Sequence, residues 1–291
     1  MKESAILPQE PAYVNGELVD LKDARIEALD RGFIFGDGLY EVIPFFEGKF
    51  YLANEHLERY RQGAQEMLFE NHPEPAELKE KAKQLLKKSG LKEGLAYLQV
   101  TRGAAPRIHH FPDNPRPNVF MFVQEFEFPG PEKMLHGVKT ILVPDERWNR
   151  CNVKSVNLLP NCYYKEQARR QGAYEAVQVH PQVGVTEGTS SNVFGVKDGV
   201  IYTAPLGQRI LRGITRDTVV ELAEEEGLKL KERFMTTHDL YQCDELFLTS
   251  SACYALPINQ VDQVEYSVSR YNITFQLQEA LKRHIAENLE E

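Results

Sequence analysis

Short apolar runs separated by turn residues dominate this chain, and few stretches carry helical periodicity. That cadence limits the fold more than any single motif does. The run AYVNGELV (12–19) holds Asn15-Gly16, a pair that readily supplies the positive φ angles of a two-residue hairpin turn. GLYEVIPFF and KFYLA read as strands joined at Glu47-Gly48, and LAYLQVT and NVFMFVQEF read as two more. Between them Asn54 is expected to cap a helix that buries Leu57, Tyr60, Ala64 and Leu68. A second helix is expected over EPAELKEKAKQLLKKSG, with Leu78, Ala82 and Leu85 inside and Gly90 closing it. PGPEK (129–133) has two prolines around a glycine and reads as a linker. Beyond it GVKTILV, YEAVQV, NVFGVKDGVIYT, LKLKERF, DELFLTS and LPINQV are strand-like, with helices near 161–172, 214–226 and 271–289. The mixture predicts two α+β domains, residues 1–128 and 134–291, and not a doubly wound sheet.

Charge and cysteine usage narrow the function classes. The 34 basic and 43 acidic residues leave a net charge of −9, which disfavours a nucleic-acid partner. No apolar run approaches the length of a membrane span, so no membrane association is expected. MKESAILPQEPAYV lacks a continuous apolar core, so it is not expected to be a signal peptide. Cys151, Cys162, Cys243 and Cys253 form no C-x-x-C pair and fit a reducing cytoplasm. His109 and His110, as neighbours on a strand, would face opposite sides. With no H-E-x-x-H either, no metal site is expected.

Several polar groups stand where solvation alone does not explain them. Lys154 lies in RWNRCNVKSVNLLPNCYYKEQARRQG (147–172) among Val153, Val156, Leu158 and Leu159. An ammonium there is either an edge-strand guard against aggregation or an amine kept dry so that it can react. VTEGTSSN (185–192) places Glu187 before Ser190 and Ser191 in what reads as a loop, where the carboxylate is a surface charge or a partner for a protonated ring nitrogen. In LRGITRD (211–217), Gly213, Ile214 and Thr215 open a helical pattern whose N-terminus could receive a phosphate. LTSSA (248–252) offers Thr249, Ser250 and Ser251 to an anion or to a turn. TRGAAPRIHHFP (101–112) gathers Arg102, Arg107, His109 and His110, a solvated basic loop or a carboxylate receptor.

In order and spacing, DRGFIFGDGLYEV, NEHLERY, TRGAAPRIHHFP, RWNRCNVKSVNLL, VTEGTSSNVFGVKDG, LRGITRD and DELFLTSS closely resemble the fold-type IV, or class IV, aminotransferases that use pyridoxal 5'-phosphate, and among them the branch acting on D-amino acids. The resemblance runs from about residue 12 to residue 260. It implies a two-domain α+β fold, with a small N-terminal domain and a larger, β-rich C-terminal domain carrying helices. It implies that Lys154 joins the cofactor as a Schiff base and moves the substrate proton. Glu187 would hold the ring nitrogen. Arg59, Ile214, Thr215 and Ser251 would take the phosphate, and Ser190 and Ser191 would lie close to the ring. Tyr40, Arg107 and His109 would form the carboxylate trap, the last two lent by a neighbouring subunit, which implies a homodimer with shared active sites. The substrates would be a D-amino acid such as D-alanine and a 2-oxo acid such as 2-oxoglutarate.

Two departures concern the substrate side chain. Pro44 replaces a longer polar residue and removes a ladder donor, and Tyr163-Tyr164 stand where small aliphatic residues are usual. The alternatives on the same fold are a branched-chain L-amino-acid aminotransferase and an aminodeoxychorismate lyase, each expected to lack the Arg107-x-His109 receptor.

Overall fold

The computed structural model describes residues 10–290. Residues 1–9, which hold most of the segment expected not to be a signal peptide, lie outside that range. Contacts divide the chain into two units. Of the described residues, one takes 10–127, Val153–Asn157 and 288–290; the other takes Phe128–Asn152 and Leu158–Glu287.

The first unit is built on a seven-stranded antiparallel sheet in the order Leu289–Glu290, Lys49–Tyr51, Gly38–Phe46, Gly94–Thr101, Asn118–Gln124, Pro11–Val14, Glu17–Asp20. Asn15 and Gly16 have φ of 48° and 107°, and Glu47 and Gly48 have φ of 55° and 76°, so both expected hairpin turns form. The helices Ala53–Glu66 and Pro75–Ser89 bury Leu57, Tyr60, Ala64, Leu78, Ala82 and Leu85 in a core shared with Leu39, Ile43 and Val100. Gly90 ends the second helix in the left-handed conformation.

Two details of the first helix differ from expectation. Its N-cap is Leu52, not Asn54, and Glu290 accepts a hydrogen bond from the Asn54 N–H (3.3 Å), so a carboxylate distant in sequence does the capping. Leu68 is 69% exposed with φ 52°, because the helix has already ended at Glu66.

The second unit carries a nine-stranded mixed sheet. Its order is Lys229–Glu232, Val200–Thr203, Asn192–Lys197, Glu245–Ser250, Tyr254–Val261, Val138–Pro144, Glu175–His180, Gly184–Gly188, with Val264–Glu265 added beside Tyr254–Val261. Central strands read as continuous apolar runs because both faces are covered. The helices Ile214–Glu225 and Ile273–Glu287 cover one core, in which Phe194 and Phe247 stack at 4.9 Å as cross-strand partners. Helix Leu159–Arg170 packs Tyr164 and Ala168 on another, starting earlier than expected because Pro160 suits a first turn. For the same reason Pro131 opens a short helix, Pro131–His136, that begins within the expected linker and runs past it.

Candidate active site

The residues singled out in the sequence fall into two groups. Tyr40, Arg59, Arg107, His109 and Lys154 belong to the first unit, and Glu187, Ser190, Ser191, Ile214, Thr215 and Ser251 to the second.

Strand Gly38–Phe46 meets Lys49–Tyr51 only at Phe45 and Phe46, which leaves its early edge open. Residues 153–157 close that edge. The Tyr40 N–H donates to the Lys154 carbonyl at 3.0 Å, the Val156 N–H donates to the Gly38 carbonyl at 3.0 Å, and Leu39 and Ser155 form a bridge. Val153 and Ser155 are buried, so the backbone of Lys154 is pinned on both sides. Its ammonium stands 4.3 Å from the centre of the Tyr40 ring, which stacks on Tyr97 at 5.8 Å, which in turn stacks on Phe122. The apolar setting read from the sequence is therefore an aromatic wall with one amine over it.

On the same strand, next to Tyr40, the carboxylate of Glu41 is fully buried. It accepts from Arg59 Nε (2.8 Å) and Nη2 (2.6 Å) and from His56 Nδ1 (2.8 Å). Burial pushes the Glu41 carboxyl up, but Arg59 and then His56 outweigh it and hold the group down at about 2. Burial also lowers His56, against the pull of Glu41. Arg59 is thus held rigidly by its neighbours.

Arg107 and His109 are exposed, on a loop and not on a strand as the His109-His110 reading assumed. Both lie against Phe35, with the Arg107 guanidinium 5.5 Å and the His109 ring 5.7 Å from its centre.

In the second unit Glu187 lies on strand Gly184–Gly188 and is buried, where the sequence suggested a loop. Gly184 ends a tight turn with φ 98°, and a glycine and hydroxyl-rich stretch hides so short a strand from periodicity. One Glu187 oxygen pairs with Arg147, whose Nε and Nη2 fork onto Asp145 at 2.9 and 2.8 Å. The other accepts from Asn192 Nδ2 (3.1 Å) and the Leu211 N–H (2.9 Å). Burial raises the Glu187 carboxyl although Arg147 pulls it down. A carboxylate has about four acceptor positions, and three are filled here. The remaining one, in a buried setting that disfavours unbalanced negative charge, suits a cationic N–H.

Asn192 joins this carboxylate to the helix beyond. It also donates to the Leu211 carbonyl (3.0 Å), and a Cβ on Gly213 would meet Asn192 Oδ1 at 2.2 Å, so any larger residue there would have to displace Asn192. Gly213 is the N-cap of helix Ile214–Glu225, with Ile214 and the buried Thr215 in its first turn. Across the sheet Asn192 pairs with Thr249, whose buried hydroxyl has no hydrogen-bond partner among the described residues, and Ser251 follows at the strand end. Unpaired N–H groups of a first turn, a hydroxyl at Thr215 and an unsatisfied hydroxyl at Thr249 fit the oxygens of a phosphorylated ligand.

Ser190 and Ser191 are brought together around a residue that no motif pointed to. Ser190 Oγ donates to Glu175 at 2.8 Å and Ser191 Oγ at 3.2 Å, Thr189 Oγ1 donates as well, and Lys165 lies 3.3 Å away. Tyr164 donates to Glu146, and Tyr163 is exposed. Glu41, His56, Asp145, Arg147, Glu175 and Asn192 were missed in the sequence. Of these, Glu41, polar inside GLYEVIPFF, and Glu175, polar inside YEAVQV, carried a local signal.

Among the described residues no group of His, Cys, Asp and Glu could hold a metal ion, and no helix is long and apolar enough to cross a membrane. Residues 38–261 match the amino-transferase class IV family. A D-alanine aminotransferase of Staphylococcus epidermidis is 40% identical over 275 residues, 94% of this chain and 97% of the relative. The fold superposes on the branched-chain amino acid aminotransferase of Escherichia coli with a TM-score of 0.89 at 24% identity, covering 98% of this chain and 97% of that one. It also matches the T.th. branched-chain amino acid aminotransferase, solved with pyridoxamine 5'-phosphate, at a TM-score of 0.87 and 25% identity, over 96% and 95% of the two chains.

Proposed function

This chain belongs to the class IV aminotransferases, and from that premise we propose that it transfers an amino group from a D-amino acid such as D-alanine to a 2-oxo acid such as 2-oxoglutarate. The products are pyruvate and D-glutamate. The substrates take turns, the first leaving as its oxo acid before the second enters. The observation that carries this reading is the lone amine of Lys154 over the Tyr40 ring, on a backbone fixed from both sides.

Pyridoxal phosphate, when bound, supplies the electron sink that makes removal of the substrate Cα proton accessible. Lys154 would hold it through its side-chain amine, and the same amine would move that proton. Glu187 offers the ring nitrogen its one remaining acceptor position, and its bonds to Arg147, Asn192 and Leu211 stop the carboxylate from turning away. The phosphate falls to Arg59, to the first turn at Ile214 and Thr215, and to Ser251. Ser190 and Ser191 are assigned to the ring, with their hydroxyls committed to Glu175.

Tyr40, Arg107 and His109 receive the substrate carboxylate, with the last two supplied by a second copy of the chain. The loop they stand on, and the segment it pairs with, expose Leu29, Phe33, Ile108 and Phe111, of which Phe33 is 79% exposed. Such an apolar surface suits a homodimer. All four cysteines are free, three of them buried, which suits a reducing cytoplasm.

Initial rates with D- and L-amino acids against 2-oxoglutarate test the reading. D-alanine should be turned over, and L-leucine barely or not at all. L-leucine as good a donor as D-alanine would instead favour the branched-chain alternative.

A further inference from the structure

We propose that the short helix Arg31–Phe35 is a seat that sets Arg107 and His109 before substrate arrives, with Arg31 and Phe35 as positioning residues. The proposal rests on the carboxylate-receptor role given above to Arg107 and His109. Arg31 is 2% exposed. Its Nη1 donates to the carbonyls of Ile108 (2.7 Å) and His110 (3.3 Å), and its Nη2 to that of His109 (3.3 Å). Three successive loop carbonyls are therefore gripped by one guanidinium. Its Nε is anchored to Asp37 at 2.7 Å, and the Arg31 N–H donates to the Gly103 carbonyl at the start of the loop.

Asp37 also takes Arg102 Nε at 3.0 Å, and Arg102 donates onward to the carbonyls of Met67 and Leu68. The Arg102 guanidinium lies 3.7 Å from the Phe111 ring, which clamps the far side of the loop. Two buried guanidiniums thus share one carboxylate, and five backbone carbonyls help to satisfy them.

At the other end of the same helix, Phe35 contacts both receptor side chains, Arg107 at 5.5 Å and His109 at 5.7 Å. One element of five residues therefore holds the loop backbone at one end and stacks the two side chains at the other. Without it the receptor would have to be ordered by each substrate, at a cost in binding.

The test uses the holoenzyme. Phe35 is only half-buried, so Phe35→Leu should fold. It should raise KM for D-alanine on the order of 3- to 10-fold, from the loss of two weak ring contacts, and leave kcat and the absorbance of the bound cofactor within about twofold of the parent. Phe35→Tyr, which keeps the ring, should restore KM. Arg107→Leu/His109→Ala alone should raise KM on the order of 10- to 150-fold, and Phe35→Leu should add nothing in that background. A parent-like KM for Phe35→Leu, or the same rise in both backgrounds, overturns the seat and leaves the receptor standing. A parent-like KM for Arg107→Leu/His109→Ala overturns the receptor itself, and the seat with it.

Discussion

Replacing Glu41 with glutamine removes the carboxylate that holds Arg59 and His56 and leaves a guanidinium beside a neutral amide in a buried place. The parent carboxyl is held at about 2 against an ordinary 4.5, and at 1.36 kcal/mol per pH unit that difference is worth about 3 kcal/mol. Leaving one member of a buried ion pair without its partner costs about 3–5 kcal/mol, the same order. With Glu41 fully buried, no discount for solvent screening applies. Urea unfolding at pH 7 and fixed protein concentration should show Glu41→Gln less stable by about 3 kcal/mol. The loss should be much smaller when Arg59 is already methionine, because a well-packed apolar group needs no counter-charge. The pH dependence has a definite sign. The folded value is depressed, so the stabilisation is present above about 4.5 and fades as pH falls toward about 2, and parent and variant should converge in that window. A loss under about 1 kcal/mol, or an equal loss in the Arg59→Met background, would refute the reasoning.

Glu187→Gln should keep bound cofactor yet turn over at least about tenfold more slowly, since an amide no longer favours a protonated ring nitrogen; turnover at the parent rate in a stopped assay for pyruvate would make Glu187 a structural partner of Arg147 only. Light scattering should report a dimer at assay concentration, because Arg107 and His109 are assigned to the neighbouring copy's substrate, and a fully active monomer contradicts that assignment.

Much of the architecture was legible because local chemistry decided it. Asn15-Gly16 and Glu47-Gly48 force their turns through positive φ, and Gly90 stops its helix for the same reason. Where the deciding partner is distant in sequence, the chain gave no warning. Glu290 caps the helix that Asn54 was expected to cap, and residues 153–157 join the first sheet through bonds to Gly38 and Tyr40. The site divides in the same way. Lys154 stood out because a charge interrupts an apolar run, Glu187 because a carboxylate precedes a glycine and hydroxyl-rich stretch, and the Gly213-Ile214-Thr215 turn because a glycine opens a helical pattern. Asp145, Arg147 and Asn192 did not, since each is defined by the group it holds: Arg147, Glu187 and the turn at Gly213.

The claim on which the rest depends is that Lys154 Nζ is the amine that carries the chemistry. Borohydride reduction of the protein loaded with pyridoxal phosphate, followed by proteolysis and mass spectrometry, tests it most directly. Lys165, the next lysine along the chain, already donates to the Tyr174 carbonyl at 2.7 Å and pairs with Glu175, so it should stay unlabelled. The predicted result is a single phosphopyridoxyl group on the peptide containing Lys154, absent from Lys154→Ala together with nearly all transamination. Label on Lys165, or a Lys154→Ala variant that still transaminates at the parent rate, would contradict the account.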